Sequence, residues 1–337
     1  MKAAIIGCGF VAPAHISCLQ RLRGIEIVGV ADIDIATARK VAEAFRIPKA
    51  FADIRSLLVE TTPEVIHLLT PPQTHAELAI EAMQAGCHVL LEKPMAPCVE
   101  EANMILTSAQ QHNVKLALCH NFLFIPCIVA ARKLLRGGDL GKLIGVDIAW
   151  KPAARGLNVD WTRDLPGGAM HEILPHPVYL QRAFVGELDR IAGISTRGGD
   201  SRGPSCEIRI LLDAQLGTSQ IEVSPGAEPK QIWMRIEGTK MSLHVDLSSN
   251  TMVRVRKLGH GKLAKALMNI DQAVQLLGET IGNAFTLLRG GISNGHFPLI
   301  EAFYRSLREG TEPPVTGEDG RATVAILDQI WKTTDRH

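Results

Sequence analysis

Chemistry in this sequence gathers at three places. Val89-Leu90-Leu91, bracketed by Gly86 and Pro94, is a short apolar run that ends in Glu92-Lys93-Pro94. Its length predicts a buried parallel strand. A lysine directly after such a strand projects into the ligand crevice outside the carboxyl ends of the sheet, where its charge can steady an oxygen that turns negative. Alone, a Lys-Pro pair reads more simply as a surface turn. The second place is Gly7-Cys8-Gly9-Phe10-Val11-Ala12, and the third is the stretch holding His171, Glu172, His176 and Tyr179. His171-Glu172-x-x-x-His176 looks superficially like a zinc motif. An i,i+5 spacing does not put two histidines on one helical face, however, and Pro175 disturbs the helix. No metal is expected.

The elements that must position these groups follow from the pattern. Ala3 to Ile6 is an apolar strand, and a helical pattern runs from about Ala14 to Leu22. Gly7 permits the tight turn between them, Gly9 lets backbone approach a pyrophosphate, and the small Ala12 lets helix and strand pack closely. A second strand, Ile25 to Val30, leads to Asp32, placed to accept from the adenosine ribose hydroxyls and to repel a 2′-phosphate, which favours NAD over NADP. Asp34 is the better cap for the helix 36–45, and Asp53 caps the next. Strands and helices continue to alternate through Val65 to Leu69, Val89 to Leu91 and Lys115 to Cys119. The fold class is therefore α/β, a Rossmann doubly wound parallel sheet over residues 1–120. Its turns at Gly7, Asp32, Thr70, Glu92 and His120 share one edge.

At this point the residues carry a resemblance. Gly7-x-Gly9-x-x-Ala12-x-x-His15, Thr70-Pro71-Pro72-x-x-His75 and Glu92-Lys93-Pro94 occur in order. Together they resemble the Gfo/Idh/MocA family, the glucose–fructose oxidoreductase and inositol dehydrogenase-like nicotinamide-dependent dehydrogenases. The resemblance implies that Thr70, Pro71, Pro72 and His75 lie beside the cofactor, that Lys93 is catalytic, and that the Lys93–Pro94 bond is cis. Gly167-Gly168, Glu172 and His176 match a further signature of that family, with His176 as its catalytic histidine. Glu172 stands where the family has Asp, Leu174 where it has Gly, and Tyr179 where an Asp often follows. Asn121 resembles an asparagine placed near substrate, while Leu123 replaces the arginine that commonly follows it. The expected catalytic set is Lys93, His176 and Glu172, and the expected substrate-binding set is Lys93, Asn121, Glu172, His176 and Tyr179.

Residues 121–337 change character. Strand-like runs at Leu143 to Trp150, Cys206 to Leu212, Thr218 to Val223, Gln231 to Glu237 and Lys240 to Val245 are mostly joined by Gly/Pro turns. This predicts an α+β domain with a mainly antiparallel open sheet, which the resemblance assigns to substrate binding and subunit association. Pro175 and Pro177 suit a first helical turn. The helix through Tyr179 to Phe184 should start near Leu174, putting His176 at a helix N-terminus that favours neutral imidazole. Leu263, Leu267, Ile270, Val274, Leu277, Ile281 and Phe285 recur at four-three spacing. That describes an amphipathic helix of about 39 Å, expected to pack on its own sheet or on a neighbouring subunit. A lipid surface is the lesser option.

Composition narrows the function. A net charge of +1 over 337 residues, without a basic run, argues against nucleic acid. Seven cysteines without a close CxxC pair suggest reduced thiols. No run is long enough to span a membrane, and no leader pattern opens the chain, so a cytoplasmic protein is expected; the resemblance implies a homo-oligomer. The reading is an NAD(P)-dependent dehydrogenase acting on a secondary alcohol of a sugar, cyclitol or nucleotide sugar. Its alternatives are a non-catalytic cofactor-binding sensor or scaffold, and glycoside cleavage by transient oxidation.

Overall fold

The computed structural model describes residues 1–152, 160–198, 207–288 and 294–334. Residues 1–121 and 296–328 form one unit, and the remainder a second. Residues 296–328 thus group with the first unit rather than with the segment before them.

The first unit alternates β1 (Lys2–Ile6), α1 (Ala12–Arg21), β2 (Glu26–Ala31), α2 (Ile35–Phe45), β3 (Ala50–Phe51), α3 (Ile54–Thr61), β4 (Val65–Leu68), α4 (His75–Gln84), β5 (His88–Leu91), α5 (Val99–Gln111) and β6 (Leu116–Leu118). The strands are parallel, in the order β3-β2-β1-β4-β5-β6. Val65 to Leu68 and Val89 to Leu91 are wholly buried, so these strands read as apolar runs rather than alternations, as a sheet covered on both faces requires. Asp34 accepts from the Ala36 N–H and Asp53 from the Ser56 N–H, which fixes the starts of α2 and α3. Strand order reverses between β1 and β4. Gly7 and Thr70 follow those two strands, so they flank the topological switch point where such sheets bind ligands.

The second unit contains α6 (Pro126–Arg136), β7 (Leu143–Lys151), α7 (Ala169–Ile173), α8 (Pro175–Val185), β8 (Leu188–Arg197), β9 (Glu207–Ala214), β10 (Gly217–Val223), β11 (Gln231–Gly238), β12 (Met241–Asp246), β13 (Thr251–Arg256) and α9 (Lys262–Leu288). Its sheet runs β13-β12-β11-β7-β10-β9-β8. The pairing is antiparallel except between β7 and β10. The mainly antiparallel sheet is as expected, although Cys206 lies outside the described residues. The sequence reading missed two edge strands. β8 carries Asp189, Arg190, Gly193 and Ser195, and such charged, polar sequence blunts an edge and hides its periodicity. The chain closes with α10 (His296–Glu309) and α11 (Gly317–Thr334).

Near the chain's end, Trp331 is buried, and its Nε1–H donates to His171 Nδ1 at 2.9 Å. A Cβ on Gly167 would overlap the indole ring. Gly167→Ala should therefore cost about 1–3 kcal/mol, the scale of overpacking, read as a lower urea midpoint. An unchanged midpoint would show that the indole yields freely.

Candidate active site

The glycine turn of the first unit is built by close approach. Gly7 adopts φ 93°, and a Cβ there would stand 2.8 Å from the carbonyl carbon of Leu69 and 2.9 Å from the Thr70 nitrogen. Only glycine fits the angle and the contact. Around Gly9 the opposite holds: nothing lies within 4 Å of where its Cβ would be. That open space is what a pyrophosphate needs. α1 begins with Ala12 fully buried; the Ala12 N–H donates to the Gly9 carbonyl and the Ala14 N–H to that of Val11, so the turn closes directly into the helix whose positive end faces the phosphate position. Phe10 is fully exposed. Cys8 donates its N–H to Asp32 Oδ2 at 2.8 Å, and the other Asp32 oxygen accepts from the Asp34 N–H at 2.9 Å. The carboxylate at the end of β2 is thereby aimed and tied to the turn, while Asp34 performs the capping. Cys8 itself is buried, and burial, helped by the Asp32 charge, pushes its thiol up to about 12.

The Thr70-Pro71-Pro72 segment is held from both sides. Thr74 Oγ1 lies 2.8 Å from Thr70 Oγ1 and 2.8 Å from the Pro71 carbonyl. His75 is fully buried, with Nε2 2.7 Å from the Thr70 carbonyl and Nδ1 3.0 Å from the Pro94 carbonyl. A neutral ring has one N–H, so it donates to one of these carbonyls and packs against the other, wedged between the loop after β4 and the turn after β5. Burial lowers its pKa, and the carbonyls of Thr70, Met95 and Pro94 pull it back up. The Lys93–Pro94 bond is cis. Lys93 is half-buried, and its N–H donates to Glu92 Oε2 at 3.1 Å.

Beneath Lys93 runs a buried chain of polar groups that sequence reading missed. Tyr304 Oη of α10 is 3.0 Å from His67 Nε2, His67 Nδ1 is 2.9 Å from His15 Nδ1, and His15 Nε2 is 3.1 Å from Glu92 Oε1. Tyr304, His67 and His15 are all fully buried. Cys119 Sγ lies 3.8 Å from His15 Nε2, and His296 Nε2 lies 4.0 Å from Glu92 Oε1. Burial works against the Glu92 charge. The hydrogen bond from His15 leads the causes that outweigh it, holding the carboxyl well below the usual carboxylate range.

Proton accounting constrains this chain. With Glu92 ionised, His15 must present Nε2–H to it. The two Nδ1 atoms then share one proton. If it sits on His67, Tyr304 donates to His67 Nε2; if it sits on His15, His67 donates to Tyr304. One proton on His15 sets the direction of two further bonds. The signals in the sequence were a histidine in the middle of an apolar strand, His67, and one of only two tyrosines.

The second unit holds the other predicted group. His176 Nδ1 lies 2.9 Å from Tyr179 Oη, which also accepts from the Phe122 N–H at 3.3 Å. The imidazole stacks on Trp150, with centroids 5.2 Å apart and planes 6° from parallel, and meets the edge of Phe122 at 4.9 Å. His176 is therefore oriented by one phenol and clamped by two rings. α8 does begin at Pro175, as expected. The free N-terminus does not exist, because Leu174 is helical and α7 runs into α8, with Leu174 N–H donating to the Met170 carbonyl and Val178 N–H to that of Leu174. His176 therefore does not sit at an open helix end, and its ring is oriented by Tyr179 instead. Glu172 lies on α7, one turn before His176 and half-buried. His171 is turned to Trp331. Asn121 is buried at the start of a short turn after β6.

A glycine turn after the first strand, an acid aimed from the second and a lysine after the fifth define a dinucleotide-binding oxidoreductase domain. Comparison with known proteins agrees. The oxidoreductase family profile with an NAD-binding Rossmann fold matches residues 1–120, and a GFO/IDH/MocA C-terminal domain profile matches 128–244. An uncharacterised oxidoreductase of Synechocystis sp. is 31% identical over 262 residues, covering 72% of this chain and 71% of its own. D-Apiose dehydrogenase of Paraburkholderia graminis is 24% identical over 342 residues, with 98% and 86% covered. Among solved structures, the WlbA dehydrogenase from Bordetella pertussis, in complex with NADH and UDP-GlcNAcA, superposes with a TM-score of 0.80 at 20% identity, covering 98% of this chain and 95% of that one. The chain belongs to the Gfo/Idh/MocA family of NAD(P)-dependent oxidoreductases.

The buried histidines give a pH dependence. Burial first, then His15 and Lys93, lower the His296 pKa from 6.5 to about 4 against the opposing pull of Glu92. Burial, with His15, lowers that of His67 well below 6.5. Each native imidazole binds fewer protons than its unfolded counterpart between its folded value and 6.5, so stability rises with pH across that window. It is lost as pH falls from 6.5 toward 4, by about 3 kcal/mol for His296 alone. Urea midpoints at pH 7.5 and 5 should show the loss, and His67→Phe should reduce it. A flat profile would contradict the buried neutral state.

Proposed function

We propose that the protein is a dehydrogenase or reductase acting on a secondary alcohol or ketone of a sugar, cyclitol or nucleotide sugar, with NAD favoured over NADP. The observation that carries the reading is Lys93 in the turn after β5, next to a buried Glu92 whose carboxylate accepts from the Lys93 backbone N–H and lies 3.1 Å from His15 Nε2. A cation so backed can steady the charge that grows on an alcohol oxygen. When bound, the nicotinamide ring supplies the hydride acceptor or donor. Gly7, Gly9 and the start of α1 would hold the pyrophosphate, Asp32 the adenosine ribose, and Thr70, Pro71 and Pro72 one wall of the cofactor crevice.

His176 is the group suited to take the hydroxyl proton. Where Nδ1–H donates to the Tyr179 hydroxyl, Nε2 carries the lone pair that a base needs. A phenol in place of a carboxylate fixes the ring without adding a negative charge to it. Glu172, one turn away, is assigned to orienting substrate. The names of relatives, D-apiose dehydrogenase among them, support the sugar class. The roles of Lys93 and His176 rest on separate observations in separate units, and they are tested separately.

Lys93→Ala and His176→Ala should each reduce turnover of sugars or nucleotide sugars by at least ~100-fold, the scale of lost acid–base catalysis, with NAD affinity largely retained. Unchanged turnover in either variant removes that residue from the mechanism. Product analysis identifies the reaction, because net redox change separates it from bond cleavage with unchanged cofactor and from no reaction at all. Asp32→Ser should narrow the preference for NAD over NADP about tenfold, near 1.4 kcal/mol, in paired titrations. An unaltered ratio would show that Asp32 does not read the ribose.

A further inference from the structure

α9 is mounted inside out. Its side toward the sheet is largely polar: Gln275 donates to the Arg254 carbonyl and accepts from its N–H, Asn283 donates to the carbonyls of Ser249 and Asn250, and Asp271 faces Arg256. A cavity of about 540 Å³, lined by Trp233, Arg235, His244, Gln272 and Leu276 among others, accompanies that contact. The opposite side carries Leu263, Leu267, Ile270, Val274, Leu277, Ile281, Phe285 and Leu288, which are between 47% and 83% exposed. A helix that needs only its own sheet buries its apolar stripe there. This one shows the stripe to water.

We propose that this face is the seam along which a second copy of the chain pairs, helix against helix. Three observations select that occupant. The spacing from Leu263 to Ile281 is four-three throughout, the heptad of a helix meeting another helix. Leu267, Val274 and Ile281 fall at a positions and Leu263, Ile270 and Leu277 at d, so both rows of a helix–helix seam are apolar throughout. The flanking positions Ala264, Ala266, Ala273, Gly278 and Thr280 are small and uncharged, and the one charged flank, Asp271, faces Arg256 of its own sheet, so like-charge repulsion between two copies is small. Area is sufficient as well. Eight large apolar side chains, each about half exposed, offer on the order of 800 Å² per copy, the size of a stable interface. A lipid surface fits less well, because Lys262 and Lys265 are balanced by Asp271 and Glu279 within the helix, leaving no basic face for anionic headgroups.

The test needs no substrate, so it stands apart from the proposed function. At micromolar concentration, light scattering should show wild-type particles of at least twice the 36.6 kDa chain mass. Ile270→Glu/Val274→Glu should halve that mass with unchanged circular dichroism, and Ile270→Leu/Val274→Ile should retain it. A monomeric wild type would overturn the proposal, as would a glutamate variant of undiminished mass. So would wild-type binding to phosphatidylcholine–phosphatidylglycerol vesicles that the glutamate variant loses, since the face would then belong to a lipid surface.

Discussion

A carboxylate that must stay charged inside the protein governs the first unit. Taking such a group out of water costs several kcal/mol unless it is paired and hydrogen-bonded. Glu92 meets the condition with His15, and His15 is in turn fixed by His67 and Tyr304. Four elements, α1, β4, the end of β5 and α10, are therefore bound into one polar line. The edge of the sheet inherits its order from that line. The turn after β5 starts on Glu92, and His75 is wedged between its far side and the loop after β4. Packing alone would hold the strands parallel, but it would not specify where the lysine stands.

Much of this was legible in the residues because the signals were local. A glycine turn, an acid at the next strand end and a lysine after a third apolar run are each defined within a few positions, and the Rossmann alternation follows from period and length. The buried chain was not legible. His67 and Tyr304 are 237 positions apart, and nothing in either neighbourhood names the other. The helix end at His176 failed for a related reason. Two prolines announce the start of a helix, yet whether a preceding turn fills its open end depends on the conformation of Leu174, which sequence does not encode locally. α9 was readable as amphipathic. Which face turned to the sheet was decided by Gln275 and Asn283, whose partners lie on β13 and the turn before it.

The two units solve the placement of polar groups differently. In the first, buried histidines are admitted because each ring nitrogen of the chain has a partner, which confers geometry at the expense of tolerance to acid. In the second, neutral groups orient His176: the faces of Trp150 and Phe122 and the hydroxyl of Tyr179. A charged network specifies one proton arrangement at a time. A ring clamp specifies only orientation.

The thiol in the glycine turn has a consequence of its own. Cys8 is buried, sits on the Ala31 carbonyl at 3.7 Å, and ionises only near 12, so almost none of it is thiolate at neutral pH. Peroxide and alkylating reagents have nothing to attack while the turn is folded. The glycine turn can thus carry a cysteine without becoming a redox sensor. Alkylation of that one sulfur would serve as a clock for how often the loop opens.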